Sequence, residues 1–171
     1  MFITSDDSDL VIRTFRPDDI CIEYIGWLND TSVMRFSNQR FLTHTRQTCE
    51  RYLEGFQNTT NQFLAILNDQ DVLVGTMTLY FQDMHGTVDL GIMIGPEHSG
   101  RGIGTRAWLS VLTFLQGDNN IRKITAGCTS SNTSMIRLAE KSGMTLEGRR
   151  IQQEIHDDVA VDILLYGKIC R

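Results

Sequence analysis

Residues 99–105 read Ser-Gly-Arg-Gly-Ile-Gly-Thr, and this stretch governs how the rest of the chain is interpreted. Gly100, Gly102 and Gly104 stand at alternate positions, between a strand-like run and an amphipathic one. Glycines at this spacing let a backbone turn tightly and bring its N–H groups close to a ligand. A helix beginning here adds the positive end of its dipole, so loop and helix together make an anion site, with phosphate the usual occupant. A P-loop requires Lys-Ser/Thr after its last glycine, whereas Thr105-Arg106 follows here. A dinucleotide fold places its last glycine three positions on and an acidic residue at the end of the next strand, and neither is found. The expected ligand is therefore a different diphosphate.

Working outward, residues 87–94 upstream are rich in β-branched and aliphatic side chains and read as a strand closed by Gly95-Pro96. Residues 62–67 and 72–81 precede it with the same character, separated by Asn68-Asp69 and by the polar turn 83–86, which predicts an antiparallel meander. Residues 10–15 read as a first strand. A helix is expected from Pro17 to Asn29, with Asp18 and Asp19 at its positive end, and a second from Thr45 with Cys49, Tyr52, Leu53 and Phe56 on one stripe. Downstream, residues 102–115 form a helix with Trp108, Leu112 and Leu115 inward, and 121–128 form a strand parallel to 87–94. Asn132 caps a helix through Lys141 that Gly143 ends, and strands near 144–155 and 159–166 are joined at His156-Asp157-Asp158. The order β-α-α-β-β-β-α-β-α-β-β predicts one α/β domain over 1–171: a mixed, mainly antiparallel sheet with helices on both faces.

Composition narrows the function. The net charge of −5 argues against a nucleic-acid binder, which needs a basic face. No apolar run approaches the ~20 residues of a membrane helix, and the polar start 1–10 lacks the features of a signal peptide, so a cytoplasmic protein is expected. The four cysteines, Cys21, Cys49, Cys128 and Cys170, are scattered and predict free thiols rather than a metal site.

Three segments together resemble the GNAT superfamily of N-acetyltransferases, in its RimJ/RimL branch. Residues 90–104 are similar to the acetyl-CoA signature, with Ser99 where Gln or Arg is usual. Asn132, Ser134, Glu140, Lys141 and Gly143 resemble the branch's Asn-x-x-Ser…Glu-Lys-x-Gly helix, and Trp27, Asn29, Asp30 and Val33 its N-terminal Trp-x-Asn-Asp motif. The resemblance implies a splayed pair of parallel strands, often opened by a bulge, with pantetheine in the slot. It implies acetyl-CoA held by backbone groups near Met93 and Ile94, by the amides of Ser99, Gly100, Arg101, Gly102, Ile103, Gly104 and Thr105, and by Asn132 and Ser134. Arg101 stands between two readings, a charge near the phosphates and a solvated side chain.

Transfer to an amine needs a proton removed, and the resemblance points to Asp89 as the acid–base group, against an ordinary structural carboxylate. The family's Tyr acid falls at Ala139 and is missing. His85 and His98 read as turn residues and Cys128 as core, while Trp27, Phe36 and Tyr80 are pocket or core aromatics. Acceptor-binding loops are expected near 34–43 and 156–159. The implied function is direct acetylation of a primary amine, a protein N-terminus or a small molecule such as an amino sugar, by a monomer or homodimer. The alternative is an acyl-CoA-binding module without turnover.

Overall fold

The computed structural model describes residues 2–4 and 9–170; the polar run 5–8 lies outside the described residues. The elements are β1 (Phe2–Thr4), β2 (Leu10–Thr14), α1 (Ile22–Asn29), α2 (Arg46–Glu54), β3 (Gln62–Asn68), β4 (Leu73–Gln82), β5 (Thr87–Ile94), α3 (Ile103–Gln116), β6 (Lys123–Thr129), α4 (Thr133–Lys141), β7 (Thr145–His156) and β8 (Val159–Ile169). All eight strands form one sheet in the order β1-β2-β3-β4-β5-β6-β8-β7.

β3 is buried on both sides, which explains its unbroken apolar run Phe63-Leu64-Ala65-Ile66-Leu67. Leu64 and Ile66 join Met77, Leu79, Val88 and Leu90 against α3, whose Ala107, Trp108, Val111, Leu112 and Leu115 are buried at helical spacing. Phe63, Ala65 and Leu67 face the other way and pack on Phe15, Tyr24, Trp27 and Cys49 of the α1–α2 layer. Helices thus cover both faces, as the sequence implies.

The parallel pair is confined to three positions, Thr87–Lys123, Val88–Ile124 and Asp89–Thr125. Beyond them β5 runs on to Ile94 beside β4 while β6 follows β8, so the two strands part like a fork. The expected bulge is not what opens it: β5 keeps unbroken register with β4 from Gly75–Ile94 to Gln82–Thr87. The pull comes from β8, which pairs β6 along its whole length.

Two further expectations are corrected. β1 was not foreseen, because three residues carry too little pattern. Pro17 opens a single 3-10 turn, and α1 begins only at Ile22, capped by Cys21. Asp19 is the reason: its carboxylate takes two bonds from the Arg13 guanidinium (2.7 and 2.8 Å) and one from the Arg16 N–H (2.6 Å), holding the turn against β2.

Candidate functional site

A cleft of about 1220 Å³ lies where β5 and β6 diverge, bounded by α2, the α1–α2 segment, the glycine turn and α4. Gly100 and Gly102 adopt left-handed φ of +76° and +75°, a conformation in which L side chains are strained. Gly102 is the N-cap of the 14-residue α3, and no side chain caps that end. Among the described residues, the only main-chain donation near it is Arg106 N–H to Gly102 O, which leaves the N–H groups of Ile103, Gly104 and Thr105 pointing out of the first turn. Gly104 serves another purpose. A Cβ there would stand 3.3 Å from Ile94 Cγ1, so its smallness lets α3 close on β5.

The sheet edge supplies more backbone. Gly95 N–H donates to Val74 O, which turns the residues in phase with it, including Met93, toward β4. Their neighbours Ile92 and Ile94 therefore present main-chain groups toward the β6 side, where the fork has opened. Met93 lines the cleft with its main-chain groups turned toward β4, and Ile92 is a lining residue that the sequence reading missed. Strand alternation would have found it once the fork's starting point was known.

The other expected cofactor residues, Ser99, Gly100, Gly102, Ile103, Gly104, Thr105, Asn132 and Ser134, all line this cleft. Asn132 also caps α4, accepting from the Met135 N–H at 3.0 Å. Arg101 does not line it; it borders a smaller hollow with Asp9 and Arg106. Asp89 is also outside the lining. Its carboxylate is exposed two residues before Gly91 and accepts a 2.6 Å bond from Thr125 Oγ1. Although its oxygens reach solvent, the sheet around it desolvates the carboxyl in part and pushes it up, with the Thr125 bond opposing.

The two expected acceptor loops meet each other. Asn29 clamps the base of the first, accepting from His44 N–H and donating to His44 O, both at 2.8 Å. Asp30 accepts from the Ser32 hydroxyl and N–H, which hold its carboxyl below the usual range. These are the structural duties of the Asn-Asp pair after Trp27. At the far side, Phe36 stacks on His156 with centroids 5.9 Å apart, and Arg40 Nη2 donates to Ile155 O. The β7–β8 tip thus straps the segment that roofs the cleft. Trp27 is buried and its Nε1 donates to Glu97 Oε1 at 3.2 Å, joining α1 to the turn before the glycines. His98 lies edge-on to Trp27 and lines the cleft, while His85 and Tyr80 do not. Tyr80 instead meets Tyr52, hydroxyl to hydroxyl, at 3.1 Å. Cys128 packs in the core, where burial pushes its thiol up to about 11, away from nucleophilic duty. Ala139 is fully buried.

Residues 9–145 match the model of the acetyltransferase (GNAT) domain family, and the chain belongs to that family. It is an acetyltransferase that uses acetyl-CoA, and the uncapped helix end and open strand edge fit that molecule's diphosphate and amides. The chain is 26% identical to the uncharacterized N-acetyltransferase YnaD of Bacillus subtilis over 144 residues, 81% of each chain. Its fold is similar to that of RimL, the ribosomal L7/L12 α-N-protein acetyltransferase solved with coenzyme A (TM-score 0.87, 16% identity, 99% and 98% of the chains covered). It is similar also to spermidine N-acetyltransferase from Vibrio cholerae (TM-score 0.84, 19% identity, 95% and 96% covered). No helix among the described residues is long and apolar enough to cross a membrane.

Proposed function

We propose that the protein moves the acetyl group of acetyl-CoA directly to a primary amine while both are bound in the one cleft. The observation that carries this reading is the continuity of the cleft from the bare first turn of α3, along the open edge of β5, to the strapped 34–43 segment. Backbone N–H groups at Ile103, Gly104 and Thr105 would take the diphosphate, and Ile92 and Ile94 would pair with the pantetheine arm as an added strand does. Asn132, Ser134 and Met93 would flank that arm. The acceptor enters on the α2 side, where Tyr24, Tyr52, Thr76 and Thr78 line the wall.

An amine attacks only when neutral, so a proton must leave. Direct transfer needs hydrogen-bond reach of about 3 Å. Asp89 lies outside the lining, so its proposed role is removal through water, by a carboxyl held above its ordinary range. A panel of primary amines with acetyl-CoA, read by thiol release, tests the reading. Acceptor-dependent release is the expected result. Saturable CoA binding with no release for any amine would instead favour the non-catalytic acyl-CoA module.

A further inference from the structure

We infer that the acceptor carries an anionic group, a carboxylate or a phosphate, besides the amine that is acetylated, and that Arg51 reads it. This rests on the proposed transfer to an amine. Among the described residues lining the cleft, Arg51 alone carries formal charge at neutral pH; no Asp, Glu or Lys faces the space. Thr48, Arg51 and Tyr52 stand at i, i+3 and i+4, so they share one face of α2. No ion pair occupies the Arg51 guanidinium among the described residues.

Its position separates it from the diphosphate site. The neighbouring Tyr52 reaches Tyr80, which is register-paired with Asp89 at the closed end of the fork. The glycine turn follows Ile94, five residues further along β5, or about 17 Å at strand rise. Arg51 is therefore a cation at the acceptor end. A guanidinium there offers forked donors to a carboxylate or phosphate. It would repel the second ammonium of a polyamine, and the wall offers no carboxylate to compensate.

Matched acceptors test this by kcat/KM from thiol release: O-phosphoethanolamine against ethanolamine, glucosamine 6-phosphate against glucosamine, and Ser-Asp amide against Ser-Asn amide, with spermidine as the polycation. The anionic member of at least one pair should be preferred by roughly tenfold or more, as for a charge-assisted hydrogen bond. The preferred pair distinguishes phosphate from carboxylate. In Arg51→Gln the ratio should collapse toward one through KM, and Arg51→Lys should restore part of it, both with native circular dichroism. Thiol release without any anionic preference, a preference for spermidine, or an unchanged ratio in Arg51→Gln overturns the inference and leaves amine transfer standing. No release with any amine overturns both.

Discussion

Thr125 Oγ1 donates to Asp89 Oδ1 at the last position where β5 and β6 are paired, so a side-chain bond closes the root of the fork. Asp89→Asn keeps an oxygen acceptor for Thr125 and removes the charge. If Asp89 takes the amine proton through water, kcat should fall about 10²–10⁴-fold at neutral pH and recover in part at high pH, where the amine is already neutral. Stability should move separately. A carboxyl pushed up in the folded state contributes stability below the ordinary carboxylate range, and that contribution is lost as pH rises through its folded value. Asp89→Asn should thus be at least as stable as the parent at pH 7, with the difference closing in acid. Full activity in the folded variant ends the proton-transfer role.

The glycines should fail in different ways. Gly102→Val places a side chain at φ +75°, which costs about 1–2 kcal/mol and distorts the turn itself. Gly104→Val leaves the backbone comfortable but forces Ile94 aside, because even a Cβ meets it at 3.3 Å. Both should weaken CoA binding at least tenfold by calorimetry while far-UV circular dichroism stays native. Normal affinity in both would remove the diphosphate from this turn.

Thermal shift reads cofactor choice without turnover. Acetyl-CoA or CoA at a hundred times its dissociation constant should stabilise the fold by about 2.7 kcal/mol, as any ligand of the native state alone must. NAD and ATP lack the pantetheine arm that the fork edge accepts and should give much less. Equal stabilisation by ATP would contradict the assignment.

Asp162 governs the roof from a distance. The Gln152 N–H at 2.7 Å, then the Arg149 guanidinium, hold its carboxyl below the usual range. Gln152 has φ +49° within an irregular register between Arg150 and Glu154, so Asp162 pins a bulge. Since the folded carboxyl is depressed, its contribution is present above the ordinary carboxylate range and lost as pH falls through the folded value. Asp162→Ala should free the bulge and shift Ile155 and His156 from Arg40 and Phe36. Acceptor KM should then rise several-fold with CoA affinity intact. An unchanged KM would mean that the strap does not shape the acceptor end.

Much of this was readable because it depends on local chemistry. The meander, the Gly143 cap at φ +77° and the tight turn at Asp157 and Asp158, both with positive φ, follow from residue type alone. The glycine turn and the helix start it leads into were legible for the same reason. What stayed hidden depends on which partners meet in the fold. Asp19 turns from the helix start to Arg13, six residues back on β2. The fork opens by pairing with β8, which no motif encodes, so Ile92 and the true setting of Asp89 could not be located. Phe36 and His156 lie 120 positions apart, and no motif marks Arg51.

The bare first turn of α3 has an evolutionary consequence. Where main-chain N–H groups hold the donor, as proposed, nearly any substitution that keeps the turn's shape is tolerated. The opposite end of the cleft is lined by side chains from α2 and the 34–43 segment, which the β7–β8 tip braces from outside. A lineage can therefore rewrite what it acetylates, one surface residue at a time, without renegotiating its hold on the acetyl donor.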